Sequence, residues 1–445
     1  MRPKPSESEK IGKQRGFFEQ RFDEMLNENH PLFKLANKIN WPGFDQKFGQ
    51  LFRSKTGKPA TPTRVVVGLL YLKHTFDFSD EEVVKRFVEN VYWQYFCGFQ
   101  FFQKSPPCDA TVLVKWRKRM KEEGMEFLLQ ETLAIACEEK LLKPKDLEHV
   151  IVDTTVQEKN ITFPTDAKLL NRARESLVRE AQKRGMKLRQ TFAREGKHLL
   201  IKYSGYSHAK QFKRARKPLR RLQTILGRVI REVERLAPEG DGRLARYLEI
   251  AKKIRLQKKT GKDKIYSVHE PEVECIAKGK AHKRYEFGCK VSIMSTNRSN
   301  WIVGAKALHG RPYDGHTIPA VLDQARRIIG RLPGSVYADK GYRGSSPPGG
   351  VRVYVSGQKR GVDKKRKMLL RRRSAVEPLI GHLKRGHRLG RNFLKGLDGD
   401  KHNALLAAAG RNMAKLLAAF FVSRLGWDFL QEIFSLAGSF SSNLT

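Results

Sequence analysis

Cysteine is sparse and unpatterned in this sequence. The five cysteines stand at 97, 108, 137, 275 and 289 and form no C-x-x-C pair. An odd, scattered set reads as buried thiols in a reducing compartment, and argues against a disulfide framework or a zinc site. Long apolar runs are also missing. None approaches the roughly 18 residues that a membrane span needs. The best candidate, 412–422, is cut by Lys415 and flanked by Arg411 and Arg424. The first ten residues, MRPKPSESEK, have no apolar centre, so no secretory leader is expected. Acid is the scarcest class relative to its opposite. Against 88 Lys+Arg there are 46 Asp+Glu, a formal net charge of +42. Chemistry on small metabolites needs no such excess, which points to a polyanion, nucleic acid above all. With 40% hydrophobic residues over 445 positions, the chain can bury two or three domain cores.

The few acids are placed where they can do chemistry. In HVIVDTT, the apolar run Val150, Ile151, Val152 leads into Asp153. Such a run suits a strand buried on both faces, and an acid at its end lies at the sheet edge. A second stretch, SVYADKGYRG, repeats the pattern at Asp339, followed by Lys340, Tyr342 and Arg343. A third acid, Glu377, sits in the basic, helix-like RRRSAVEPLIGHLKRGHR. Two strand-borne aspartates and a helix-borne glutamate make a ligand set for two-metal phosphoryl transfer.

Around these acids the chain divides into a polar tail (1–16), an all-helical domain (17–143), an α/β domain (144–425) and a C-terminal tail (426–445). In the helical domain, Pro62 precedes the apolar face of Val65, Val66, Leu69, Leu70 and Leu72. Ser79 should cap a helix over 81–95, with acids in its first turn. Asp109 starts another helix, which presents Lys115, Arg117, Lys118 and Arg119. This pattern suits a helix-turn-helix that reads DNA and a plain bundle with solvated lysines equally. A very basic helical insertion covers about 165–260, and its charge favours a phosphate-facing surface. Strands at 285–295 and 301–308 form a hairpin. Thr317 can cap a helix over 318–329, and strands follow at 335–339 and 351–356. The loop HGRPYDGHT, with His309, Asp314 and His316, reads as a turn cluster, with a structural role favoured over a catalytic one. Apart from the insertion, the order of elements resembles the RNase H-like fold: a mixed sheet flanked by helices, with the Asp153 strand beside the Asp339 strand.

The stretches IVDTTVQEKNITFPTD, RYEFGCKVSI, HGRPYDGHT, YADKGYRG, RRSAVEPLIGHLKRGHRLGRNFLKG and HNALLAAAGRNMAKLL together resemble the DDE transposases of bacterial insertion sequences, in the insertion-sequence-five branch. The resemblance implies catalytic, metal-binding acids at Asp153, Asp339 and Glu377, two Mg²⁺ ions replaceable by Mn²⁺, and a bacterial cytoplasmic, nucleoid-associated setting. It implies double-stranded DNA partners, both terminal inverted repeats and target, held by a homodimer. It also implies a Tyr-x2-Arg-x3-Glu-x6-Lys signature. Arg373, Glu377 and Lys384 fit it, while Leu370 stands at the tyrosine position. Further DNA contacts are expected from Lys340, Arg343 and Arg388. A related endonuclease without strand transfer, or a DNA-binding relative with reduced catalysis, is the alternative.

The signature can be tested on a helical wheel. At about 100° per residue, Glu377 and Lys384 come within about 20° of one face, and Arg373 within about 40° of Glu377. Ser374-x-x-Glu377 also has the form of a capping box, which would engage the glutamate otherwise and start the helix after Arg373.

Overall fold

The protein is represented by a computed structural model that describes residues 20–52, 59–237, 241–258, 260–261, 263–277, 284–345 and 347–441, with side chains as far as Phe421. The expected polar tail at 1–16 lies outside the described residues. In chain order the elements are α1 (Phe22–Met25), α2 (Pro31–Lys38), α3 (Trp41–Gly49), α4 (Thr63–Thr75), α5 (Asp80–Arg86), α6 (Val91–Phe96), α7 (Thr111–Glu138), β1 (His149–Lys159), α8 (Asp166–Lys183), α9 (Ala193–His208), α10 (Phe212–Leu236) and α11 (Gly242–Leu256). Then follow β2 (Glu274–Ala277), β3 (Tyr285–Thr296), β4 (Ile302–Leu308), α12 (Ile318–Ile329), β5 (Ser335–Ala338), β6 (Arg352–Val355), α13 (Lys364–Arg371), α14 (Val376–Gly386), β7 (Arg391–Asn392) and α15 (Gly396–Ser441).

Two compact units divide the chain, one from 1–157 with 290–445 and the other from 158–289. In the first, β1 pairs in parallel with β5, β5 in parallel with β6, and β3 antiparallel with β4. The sheet is mixed, and β1 lies beside the strand that follows α12, as the RNase H-like reading requires. Val150, Ile151 and Val152 are fully buried, which explains their unbroken apolar run. The hairpin and α12 form where the sequence places them. Thr317 does not cap α12, however: its hydroxyl donates to the Asp314 carbonyl at 2.7 Å.

The N-terminal helices belong to this same unit, so the boundary expected near 143 falls inside it. Helix α15 packs on α7, α4 and β4. A methyl group at Gly410 would come within 2.5 Å of the His74 backbone, so only glycine allows α15 to approach α4 this closely. The helix expected over 81–95 is two. Asn90 is extended, and its side chain caps α6 by accepting from Trp93 N–H at 3.1 Å. Ser79 and Glu82 form a full capping box at α5. Arg117 does not face solvent as the sequence reading supposed. It is 3% exposed and grips Asp80 through both guanidinium ends, with Lys73 Nζ 2.8 Å from the same carboxylate. Burial alone would raise Asp80's pKa, but Arg117 and Lys73 hold it well below the usual carboxylate range.

By length and composition alone Gly396–Phe421 could cross a membrane, but 61% of its apolar 18-residue window is buried in the protein, as in a core helix. The α15 backbone continues to Ser441, through the stretch expected as a tail. All five cysteines are free, but only Cys97 and Cys289 are buried, and Cys137 is exposed.

In the second unit α8, α9, α10 and α11 pack on one another around Leu177, Leu226, Val229, Val233 and Leu248. The helical insertion thus has a core of its own. Lys159 and Glu270 form a buried ion pair at 3.3 Å, and β2 pairs antiparallel with the start of β3.

The close approach at Gly410 is testable. Gly410→Ala should lower the stability of the first unit by about 1–3 kcal/mol, the usual cost of overpacking, read as a lower urea midpoint. An unchanged midpoint would contradict the contact between α4 and α15.

Candidate active site

The two strand-borne acids are set by register. Parallel pairing puts Val150 opposite Val336 and Ile151 opposite Tyr337, so two residues further on Asp153 comes level with Asp339, which directly follows β5. Asp153 does not end its own strand as expected, because β1 runs on to Lys159. Asp153 is half-buried, and its Oδ1 accepts from Thr154 N–H at 2.8 Å. Asp339 is exposed and accepts from Lys340 N–H, capping the single 3-10 turn Lys340–Tyr342.

Glu377 is the second residue of α14. The capping box does not form, because the Ser374 hydroxyl donates to the Arg371 carbonyl. Residues 372–375 instead form a 3-10 turn that joins α13 to α14. Arg373 therefore stays on the glutamate's face, its guanidinium 3.8 Å from Glu377 Oε1, while the Glu377 side chain is 67% exposed. Both ends of this helical segment are tied down. Arg372 donates to the carbonyls of Asn297 and Arg298, at 3.2 and 2.8 Å. At the far end His387 Nδ1 donates to the His74 carbonyl at 2.8 Å, and Arg388 to the Asp77 carbonyl at 2.9 Å.

Electrostatics joins these positions. Burial pushes the Asp153 carboxyl up to about 6; Arg373 opposes this, and the charges of Asp339 and Asp314 add to it. Arg373 thus feels Asp153 on one side and pairs with Glu377 on the other. Among the described residues no three His, Cys, Asp or Glu side chains stand close enough together to hold an ion as they are placed.

Asp314, in the loop expected to be structural, lies beside the two strand-borne acids. Its Oδ1 accepts from Thr154 Oγ1 at 2.8 Å and from Lys290 Nζ at 2.9 Å, and its Oδ2 would lie 3.5 Å from a methyl group at Gly341. It is therefore braced between β1, β3 and the turn after Asp339. The only sequence signal for it was its place in HGRPYDGHT, where Asp-Gly also makes a turn. Within the same loop His309 lies 3.9 Å from the buried Asp400, and His316 packs edge-on to Tyr313.

The other expected residues separate into two groups. Lys340 and Arg343 are exposed, and Lys384 is half-buried on α14. Arg388 is tied to Asp77 and lies over the Phe393 ring, so its charge is engaged within the protein. Tyr342, which follows Asp339 in the sequence, is 1% exposed, with Asp153 and Asp314 near its ring. Leu370 packs against Tyr337, Tyr354, Val362 and Leu369, an apolar role that a tyrosine hydroxyl would disturb.

The raised pKa of Asp153 has a consequence for stability. Its folded value lies above its unfolded one, so its contribution is complete below about pH 4 and is lost as pH rises through about 6. Asp153→Asn cannot ionise. Near pH 7.5, without divalent ions, this variant should be more stable than wild type by about 2–3 kcal/mol, at about 1.4 kcal/mol per pKa unit, and the gap should close near pH 4. Thermal melts at both pH values check this. A gap that does not change with pH would mean that Asp153 is not desolvated.

Comparison with known proteins agrees with this geometry. Residues 20–119 match the family "Transposase domain (DUF772)", and residues 251–413 match "Transposase DDE domain". The second match includes Asp314, Asp339 and Glu377. The chain is also similar to "Uncharacterized protein ORF8 in nfe locus" of Rhizobium meliloti, with 47% identity over 195 residues, which cover 44% of this chain and 94% of that relative. No solved structure matches. With the two transposase matches in order along one chain, and two acids level on adjacent parallel strands, the chain belongs to the DDE transposases of insertion sequences.

Proposed function

We propose that this transposase binds the terminal inverted repeats of an insertion sequence, cleaves DNA there by metal-assisted hydrolysis, and joins the freed 3′-OH to target DNA. The observation that carries the reading is the level placement of Asp153 and Asp339, with Glu377 reached through Arg373. The donors are carboxylate oxygens, which suit a hard divalent cation. The charge that burial and neighbouring acids oppose on Asp153 is one that a cation would stabilise. The donor chemistry therefore suits Mg²⁺, with Mn²⁺ as a substitute, provided that Glu377 turns toward the two aspartates. When bound, two such ions would supply nucleophile activation and charge stabilisation on the leaving oxygen.

Asp153, Asp339 and Glu377 would hold the ions. For Glu377 this means leaving Arg373, which an exposed side chain can do by changing rotamer. The released guanidinium would then grip the phosphate being attacked. Asp314, held by Lys290 and Thr154, would keep β1 in place beside Asp153. Lys384, Lys340 and Arg343 would hold flanking phosphates, a positioning role with no proton transfer. Synapsis of two ends calls for a homodimer. Recognition of the repeats is assigned to the helices before residue 143. Because α15 packs on α4 and α7, this assignment is best tested in the full chain, at the exposed Lys115 and Lys118.

Incubation with DNA carrying the terminal repeats separates the readings: joined product supports the proposal, nicked product alone indicates an endonuclease, and bound DNA alone a non-catalytic relative. Asp153→Asn, Asp339→Asn and Glu377→Gln should each abolish cleavage and leave DNA binding intact. Near wild-type cleavage by any one removes that residue from the site. Lys384→Ala should slow cleavage by about 10²–10³-fold, the usual effect of losing one group that stabilises developing charge. Unchanged rates on both uncut and pre-cut ends would contradict a grip by this helix face.

A further inference from the structure

The second unit holds a cavity that this chemistry does not use. Its volume is about 530 Å³, and Arg189 and Phe192 line it from the α8–α9 loop, Arg228, Arg231, Glu232 and Arg235 from α10. On a helix, positions 228, 231 and 235 fall within about 60° of one another. The opposite face of α10 is buried through Leu226, Val229 and Val233. The three arginines therefore converge because α10 can turn only one face to the core.

The loop side is held in place. Arg174, 3% exposed, donates to the Thr191 carbonyl at 2.8 Å and to Asn171 Oδ1. Arg189 N–H donates to the Glu232 carboxylate, so the one acid lining the cavity is engaged with backbone. Phe192 takes a left-handed φ of 51° and packs its ring against the core. Among the described residues the side chains of Arg189, Arg231 and Arg235 have no carboxylate partner. Arg228 lies near Glu195, which already pairs with Arg221 at 2.6 Å. By contrast, Arg184, Lys252 and Lys253 of the same unit are paired with acids.

Several guanidinium groups gathered around one cavity repel one another unless an anion lies between them. Their planar forks match pairs of phosphate oxygens. The basic face also continues beyond the cavity. Lys217, Arg220, Arg228, Arg231 and Arg235 are exposed along α10 and span roughly 27 Å at 1.5 Å per residue. A row of that length suits an extended polyanion better than a free nucleotide. We propose that the cavity and this row form a docking track for the phosphodiester backbone of DNA, with the cavity arginines on successive phosphate oxygens and Phe192 as an apolar floor. This rests on the reading of the chain as a DNA enzyme, and gives its inserted unit a defined grip.

The test uses the full chain with a random-sequence duplex, and with ATP as a free polyphosphate. Arg231→Gln with Arg235→Gln should weaken duplex binding about 10–30-fold near 0.15 M salt, and lower the slope of log affinity against log salt by about two. Lys252→Gln with Lys253→Gln removes equal charge outside the cavity and should bind like wild type. Matching circular-dichroism melts show that both variants fold, and Arg231→Lys with Arg235→Lys should keep the wild-type salt slope. Wild-type duplex binding by the cavity variant overturns the track. Equal loss in the two glutamine variants reduces it to diffuse charge and also overturns it. Tight ATP binding that the cavity variant loses, with duplex affinity unchanged, makes it a nucleotide site and overturns it likewise. A wild-type chain that binds no duplex at all overturns the DNA reading itself, which separates that failure from the pocket's.

Discussion

Like charges brought together at the edge of a buried sheet repel one another, and this constraint shapes the site. Register on parallel strands puts Asp153 level with Asp339. Thr154 and Lys290 fix Asp314 close by. The cost appears on Asp153, whose carboxyl is pushed up to about 6, first by burial and then by its acidic neighbours. Arg373 offsets part of it. A divalent ion bound by the same oxygens would offset more, because its charge is larger and it takes carboxylate oxygens directly.

The third acid depends on the rigidity of its helix. Glu377 is itself exposed and mobile in principle, yet the segment that carries it is anchored by Arg372 at one end and by His387 and Arg388 at the other. These last two contacts reach α4 and the turn after it. The N-terminal helices therefore take part in positioning the helix that carries Glu377, and the Arg117–Asp80–Lys73 cluster ties α4, α5 and α7 together beneath them. A substitution that loosens this bundle would be felt at Glu377 without touching an acid.

Much of this was readable from residue pattern. The run Val150–Val152 announced a doubly covered strand, and the hairpin and α12 fell where turn residues allow. Asp339 and Glu377 stand at element ends, whereas β1 continues past Asp153 to Lys159. What escaped depended on tertiary partners. Nothing local marks Arg117 as buried, since an arginine in a basic run looks solvated until Asp80 is folded against it. Asp314 looked like a turn former because Asp-Gly is one, and its contacts with Thr154 and Lys290 span 160 and 24 positions. The break at Asn90 needed the knowledge that its side chain would cap α6. Ser374 and Glu377 matched a capping pattern that the 3-10 turn before α14 overrides.

The central claim, that Asp153, Asp339 and Glu377 form one divalent-ion site, is tested most directly by titrating the protein with Mn²⁺ near pH 6, while following bound ion by electron paramagnetic resonance and released protons by a pH indicator. Ion binding should expel the proton that Asp153 holds at this pH, so wild type should bind Mn²⁺ and release protons together. Asp339→Asn and Glu377→Gln should weaken binding, and Asp153→Asn should weaken it and remove the proton signal. Wild-type Mn²⁺ affinity in Asp153→Asn, or binding with no proton released, would contradict the account.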